Sequence, residues 1–145
     1  MRIAKVRSVK SPVRGTDQSA GIDFFVPDTQ SQIRLFPNNS ALIPSGIHVQ
    51  VPKGFMLVAM NKSGVATKKM LVVGAQVVDE DYQGQIHIHV INVGTGSVEI
   101  NPGDKLVQFI LIPVSYAMPE LVEFKDLYTS ETERGDGGFG STGEK

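Results

Sequence analysis

Apolar and polar side chains alternate through the middle of the chain. Ile47, Val49 and Val51 flank His48 and Gln50, and Ile86, Ile88 and Val90 repeat the pattern around His87 and His89. Successive side chains of a strand point to opposite faces, so this period of two predicts half-buried strands. Turn signals punctuate the sequence at Pro37-Asn38-Asn39, Pro44-Ser45-Gly46, Pro52-Lys53-Gly54, Gly94-Thr95-Gly96 and Asn101-Pro102-Gly103-Asp104. Short strands between closely spaced turns predict an all-β sandwich or barrel. Only residues 63–70 and 119–126 suit a helix, each of a turn or two, and neither could organise a helical core.

Composition changes near Thr129, after which Phe139 is the one remaining apolar side chain apart from glycine. The chain therefore reads as a compact β domain over residues 1–128 and a glycine-rich arm over residues 129–145. At 145 residues it has the length of one domain, able to bury a little under ~70% of its unfolded surface. With 14 basic and 15 acidic residues, it has no field to hold a nucleic-acid backbone or an anionic membrane, so any anion site must be local. The absence of cysteine excludes disulfides and thiolate metal sites and is compatible with a reducing compartment. No apolar run follows the basic N-terminus and none is long enough to span a membrane, so a soluble, unsecreted, cytoplasmic protein is expected.

Chemistry concentrates in five clusters. Ser19-Ala20-Gly21-Ile22-Asp23-Phe24 places a carboxylate beside small residues, where Asp23 could equally bound a turn. In Asn61-Lys62-Ser63-Gly64, Lys62 and the start of a short helix suit an anion, and Ser63 suits either a ligand hydroxyl or an N-cap. Gly74 to Gly84 carries Asp79 and Asp81 at strand spacing on one face with Tyr82 on the other; one carboxylate could be a general base, or both could be surface acids at a hairpin. Gln108 is the one polar group in an apolar run to Pro113 and needs partners. Arg134-Gly-Asp-Gly-Gly-Phe-Gly-Ser-Thr-Gly143 has five glycines around one ring. It cannot build a core, but its amides, Arg134, Ser141, Thr142 and Phe139 could close on phosphates and a flat base. His87 and His89 point the same way from one strand, but no third metal ligand lies nearby in sequence.

In this order the five clusters resemble the five motifs of the homotrimeric dUTPases. Ala20-Gly-Ile-Asp23 is similar to motif one, Ser63-Gly64 to motif two and Val78-Asp-Glu-Asp-Tyr-Gln-Gly84 to motif three. Pro102-Gly-Asp-Lys-Leu-Val-Gln108 is similar to motif four and Arg134 to Gly143 to motif five. The resemblance implies a jelly-roll-like β subunit with one short helix and a flexible C-terminal arm. It implies a homotrimer with shared active sites, each arm closing over a neighbour's site. It implies a dUTP diphosphatase, a hydrolase that uses Mg²⁺ to convert dUTP to dUMP and pyrophosphate, keeping uracil out of DNA and supplying dUMP for thymidylate synthesis.

By the same resemblance, Asp79 activates the attacking water and Asp23 meets the metal through its waters. Lys62, Ser63, Gly64 and Gln108 hold the phosphates. The backbone around Gln76, Val77 and Val78 binds uracil, and Tyr82 packs on the sugar. Phe139 stacks on the base, while Arg134, Gly140, Ser141 and Thr142 complete the cage. The chain departs from the motifs at Asn61-Lys62, where Pro-Arg is usual, at Gln76, where glycine is common, and at Lys105, which replaces an arginine and receives no catalytic role. The alternatives are a dCTP deaminase, which shares the fold but needs an arginine absent from Ser63-Gly-Val-Ala-Thr67, and a weakly catalytic, dUTP-dependent protein-binding module.

Overall fold

The computed structural model describes residues 1–138, and the positions of Phe139, Gly140, Ser141 and Thr142 lie outside the described residues. Met1–Ser115 forms one compact unit and Tyr116–Lys145 a second. The first unit contains eleven strands and one helix: β1 (Arg2–Lys5), β2 (Val13–Arg14), β3 (Ile22–Phe24), β4 (Ile33–Leu35), β5 (Ser40–Gln50), β6 (Phe55–Asn61), α1 (Ser63–Lys69), β7 (Leu71–Val73), β8 (Val77–Val78), β9 (Gln85–Asn92), β10 (Val98–Ile100) and β11 (Val107–Pro113). They form two main sheets, β1-β5-β9-β7 and β2-β3-β11-β6-β8, with a two-stranded β10-β4 pair. The pairings are antiparallel and neither sheet closes on itself, so the architecture is a jelly-roll-like sandwich, as expected.

The alternating segments behave as strands with one buried face. Ile47, Val49, Val51, Ile86, Ile88 and Val90 join a core with Phe24, Leu57, Ile100 and Phe109. Phe24 and Phe109 pack in a tilted pair with ring centroids 4.5 Å apart, which fixes β3 against β11 at the point where the register places Asp23 opposite Gln108. Pro44-Ser45-Gly46 differs from expectation, because it is a bulge inside β5 rather than a turn between strands. The ladder to β9 shifts between Pro44 and His48, the buried Ser45 hydroxyl accepts the Ile47 N–H at 3.1 Å, and Gly46 takes φ 75°. A bulge bends and twists a strand without ending it.

One buried amide closes the far end of β9. Asn92 donates to the carbonyls of Leu35 and Gly96 at 3.0 and 2.8 Å and accepts the Gly94 N–H at 2.9 Å. Helix α1 matches the expected segment to within a residue and ends where Met70 adopts the left-handed conformation, φ 53°. Among the described residues of the second unit the one helix is α2 (Phe124–Leu127), shorter than the predicted 119–126. None of residues 116–138 is buried, and Leu121, Met118 and Phe124 are 100%, 87% and 81% exposed.

Candidate active site

The first, second and fourth clusters meet at one end of the five-stranded sheet. Asp23 is a buried strand residue rather than a turn cap, its side chain only 7% exposed. One carboxylate oxygen receives the Lys62 ammonium and the other lies 3.2 Å from the Lys105 nitrogen. A carboxylate buried this deeply needs such partners, because an unpaired buried charge loses its hydration without return. Two ammonium groups on one carboxylate leave one net positive charge, the local cationic site that the overall balance of charge concealed.

Gln108 finds its partners at the same level. Its Nε2 donates to the Asn61 carbonyl at 2.9 Å, and a Cβ at Gly21 would lie 2.2 Å from its Oε1 and 2.8 Å from its Cβ. Gly21 is therefore a clearance for Gln108. Asn61 uses its side chain as well: Oδ1 accepts the Val73 N–H at 2.7 Å, tying the end of β6 to β7. Lys62 is the N-cap residue of α1, so Ser63 is not the cap; it and Gly64 form the first turn, where N–H groups lack intrahelical acceptors. Lys105 leaves a turn in which Gly103 takes φ 81° and the Asp104 carboxylate accepts the Asn101 N–H at 3.0 Å.

The third cluster forms a separate slit. The chain leaves β9 after the Gly74 N–H bonds the His89 carbonyl at 3.0 Å, and it joins the other sheet where the Gln76 carbonyl accepts the Ala59 N–H at 2.8 Å. Val77 stands opposite Val58 between the pairs 59–76 and 57–78, so its own N–H and C=O point away from β6. Strand β8 is the last of its sheet, which leaves those groups at an open edge. Beyond Gly74, residues 85–88 of β9 likewise lose their β7 partner.

Between the two edges lies a cavity of about 290 Å³ lined by Leu42, Ala75, Gln76, Val77, Val78, Tyr82, Gln85, Ile86, His87 and Phe109. That volume is at the small end for ligand sites and suits a ring rather than a whole nucleotide. Gln76 is accommodated without strain, since Asn38 and Met70 alone among the described non-glycine residues have positive φ.

Residues 79–84 depart from the expected strand spacing. Strand β8 ends at Val78, and the following residues make the turn that leads to β9 in the other sheet, with the Tyr82 N–H on the Asp79 carbonyl at 3.3 Å. Asp79 and Asp81 are exposed; Glu80 accepts the Gly54 N–H at 2.7 Å. Tyr82 folds over Gly84, where a Cβ would lie 2.2 Å from its hydroxyl, and donates to the Gln85 carbonyl at 3.1 Å. Leu42, Ala75, Gln85, Ile86, His87 and Phe109 are the slit residues that sequence reasoning missed as site residues. For Gln85, Ile86 and His87 the signal was the adjacency of their strand to the third cluster; Ala75 lies inside that cluster, and nothing in the sequence pointed to Leu42 or Phe109.

The structure does not bring Asp79 to Asp23 within one chain. Strands β3 and β8 are three strand spacings apart, and Val78 is three residues along β6 from the Met60 level of Gln108. At ~4.8 Å per strand and ~3.4 Å per residue the separation is ~17 Å, and the chain at Asp79 runs further away. Arg134 belongs to the second unit, in a turn where its Nε donates to the Gly137 carbonyl at 3.0 Å.

Among the described residues, no group of three or more His, Asp or Glu could hold a metal ion. Asp23 offers the hard oxygen chemistry that a magnesium ion prefers, but both its oxygens carry ammonium groups. No helix among the described residues is long and apolar enough to cross a membrane.

The sequence model of the dUTPase family matches residues 7–143. The deoxyuridine 5'-triphosphate nucleotidohydrolase of Mus musculus is 37% identical over 134 residues, covering 92% of this chain and 78% of its own. That of Maricaulis maris is 39% identical over 138 residues, covering 92% and 88%. Among solved structures, a dUTPase of Staphylococcus bacteriophage 80alpha with dUPNHPP superposes with a TM-score of 0.84 at 25% identity, over 98% of this chain and 97% of that one. A dUTPase of phage phi11 of S. aureus, described with a structural Mg(II) ion, matches with a TM-score of 0.76 at 24% identity over 86% and 97%.

Proposed function

The chain belongs to the dUTPase family, and we infer that it is a dUTP diphosphatase, hydrolysing dUTP to dUMP and pyrophosphate. Such an activity keeps uracil out of DNA and supplies dUMP for thymidylate synthesis. The observation that carries the assignment is the slit between β8 and β9, a ring-sized cavity whose walls are strand edges with no neighbouring strand on the slit side. Backbone donors and acceptors around Gln76 and Val77 can satisfy the polar edge of uracil. A site built on such bonds rejects a base that leaves them unpaired far better than an apolar pocket rejects a methyl group. Cytosine, with donor and acceptor exchanged at position 4, is excluded on this ground, and Tyr82 packs on the sugar.

Lys62, Ser63, Gly64 and Gln108 hold the triphosphate. Lys62 could exchange Asp23 for the nucleotide's phosphates, one anionic partner for another, and Asp23 would then be the carboxylate able to meet the water shell of Mg²⁺. When bound, Mg²⁺ neutralises charge developing on the phosphate oxygens. Asp79 orients the attacking water and takes its proton as the water approaches the α-phosphorus in line with the pyrophosphate.

The ~17 Å between Val78 and Asp23 exceeds what a water-bridged contact at one α-phosphate can span. The slit of one copy therefore works with the cation cluster of another, in a homotrimer with shared sites. The exposed Met118, Leu121 and Phe124 of the second unit are apolar groups of the kind that mark a protein interface. The arm from residue 129 closes over a site, where Phe139 stacks on the base and Arg134, Gly140, Ser141 and Thr142 cover the phosphates.

The test is purified protein with each dNTP and Mg²⁺, followed for pyrophosphate and ammonia. Pyrophosphate from dUTP alone is expected; ammonia from dCTP, or no turnover at all, would overturn the assignment. Asp79→Asn is expected to lower kcat by a factor of ~10² to 10⁴ with dUTP binding retained, and lost binding would make Asp79 structural instead.

A further inference from the structure

Three consecutive residues carry the chain from one sheet to the other, and each is fixed by one hydrogen bond. Gly74 N–H bonds the His89 carbonyl, the last bond of the β7–β9 ladder, and the Gln76 carbonyl takes the Ala59 N–H, the first bond to β6. Between them, the Ala75 N–H bonds a side chain, the Nδ1 of His89, at 2.7 Å. An amide N–H can only donate, so Nδ1 is an acceptor and the imidazole is neutral with its proton on Nε2.

The ring also requires the residue beneath it to be glycine. A Cβ at Gly74 would lie 2.2 Å from His89 Nδ1 and 2.4 Å from Cε1. Ala75 and Gln76 both line the slit, whose opposite wall is made by residues 85–87 of the strand that carries His89. The imidazole thus spans from one wall to the backbone of the other, where the slit begins.

We propose that His89 is a positioning residue for base recognition: its neutral Nδ1 holds the Ala75 amide and so sets the gap between β8 and β9 into which the uracil ring fits. The inference rests on the dUTP reading of the slit and adds to it a residue outside the five motifs. His89 touches no substrate, so its removal changes how well the base is held, not the chemistry at phosphorus.

The test compares His89→Leu, His89→Asn and Gly74→Ala with the wild-type enzyme in steady-state dUTP hydrolysis, with thermal unfolding as a check on folding. Asparagine places Oδ1 on Cγ, the same distance from the backbone as Nδ1, and so keeps an acceptor for Ala75. His89→Leu and Gly74→Ala are each expected to raise KM about tenfold with kcat changed by less than about twofold, and His89→Asn to restore most of the loss. Discrimination against dCTP is expected to fall with the rise in KM.

Wild-type KM in a folded His89→Leu enzyme would overturn the inference alone. So would a leucine variant and an asparagine variant that are equally impaired. If His89→Leu does not fold, Gly74→Ala with unchanged KM overturns it. A wild-type protein that turned over no dUTP would overturn the reading beneath it.

Discussion

Gly21→Ala probes the contact between the first and fourth clusters at a single atom. The new methyl carbon would overlap Gln108 at Oε1, Cδ and Cβ, at 2.2, 2.7 and 2.8 Å. The amide end can swing away, but the Cβ is attached to a central strand, so the side chain must leave its rotamer and its bond to the Asn61 carbonyl. The lost hydrogen bond is worth about 1 kcal/mol and an off-rotamer side chain about another 1 kcal/mol. A total of about 2 kcal/mol is the expected drop in unfolding free energy, and kcat/KM falls as well if Gln108 holds phosphate, because the displaced amide no longer reaches it.

The assay is a double-mutant cycle over wild type, Gly21→Ala, Gln108→Ala and the double variant, scored by kcat/KM for dUTP and by urea unfolding at fixed protein concentration. With Gln108 already truncated, two of the three overlaps vanish, and Gly21→Ala is expected to cost less than half of what it costs alone. Equal costs in both backgrounds, or no cost in either, would refute the idea that Gly21 is there to make room for Gln108.

Two further outcomes are expected. Asn92→Ala strands the Leu35 and Gly96 carbonyls and the Gly94 N–H, so it is expected to destabilise the fold by about 2–4 kcal/mol, read by the shift of the urea midpoint with an unchanged slope. Deleting residues 133–145 is expected to spare folding and assembly, measured by circular dichroism and sedimentation, while removing most activity; an unfolded truncation would place the arm in the core.

The strands were legible because a local period of two reports the core-facing side, as Ile86, Ile88 and Val90 do. Read from the residues alone, the candidate site was legible as separate pieces, which the resemblance to the dUTPase motifs joined. Asp23 and Lys62 are 39 residues apart in sequence, and nothing near either one announces the other, so Asp23 read as readily as a turn residue. Lys105 was given no part, yet it supplies the second charge on Asp23.

Residues 79–82 misled for a different reason. An i, i+2 pair of carboxylates looks like a strand face, but β8 stops after two residues and the acids fall in the turn. His89 was invisible as a structural acceptor because its partner, the Ala75 N–H, has no side-chain signature at all. Ser63 was ambiguous between cap and ligand, and the structure makes Lys62 the N-cap residue.

Strand β6 carries Leu57 and Val58 opposite the slit-forming β8, and three residues later Asn61, which holds both Gln108 and Val73. Inserting one residue between them would carry Asn61 ~3.4 Å onward and turn it to the opposite face. Both of its bonds would then be lost together, while the slit would stay where it is. The strand can therefore change in spelling but not in length, and a natural variant of this protein with a single-residue gap in residues 57–61 would have to rebuild its phosphate end from other side chains.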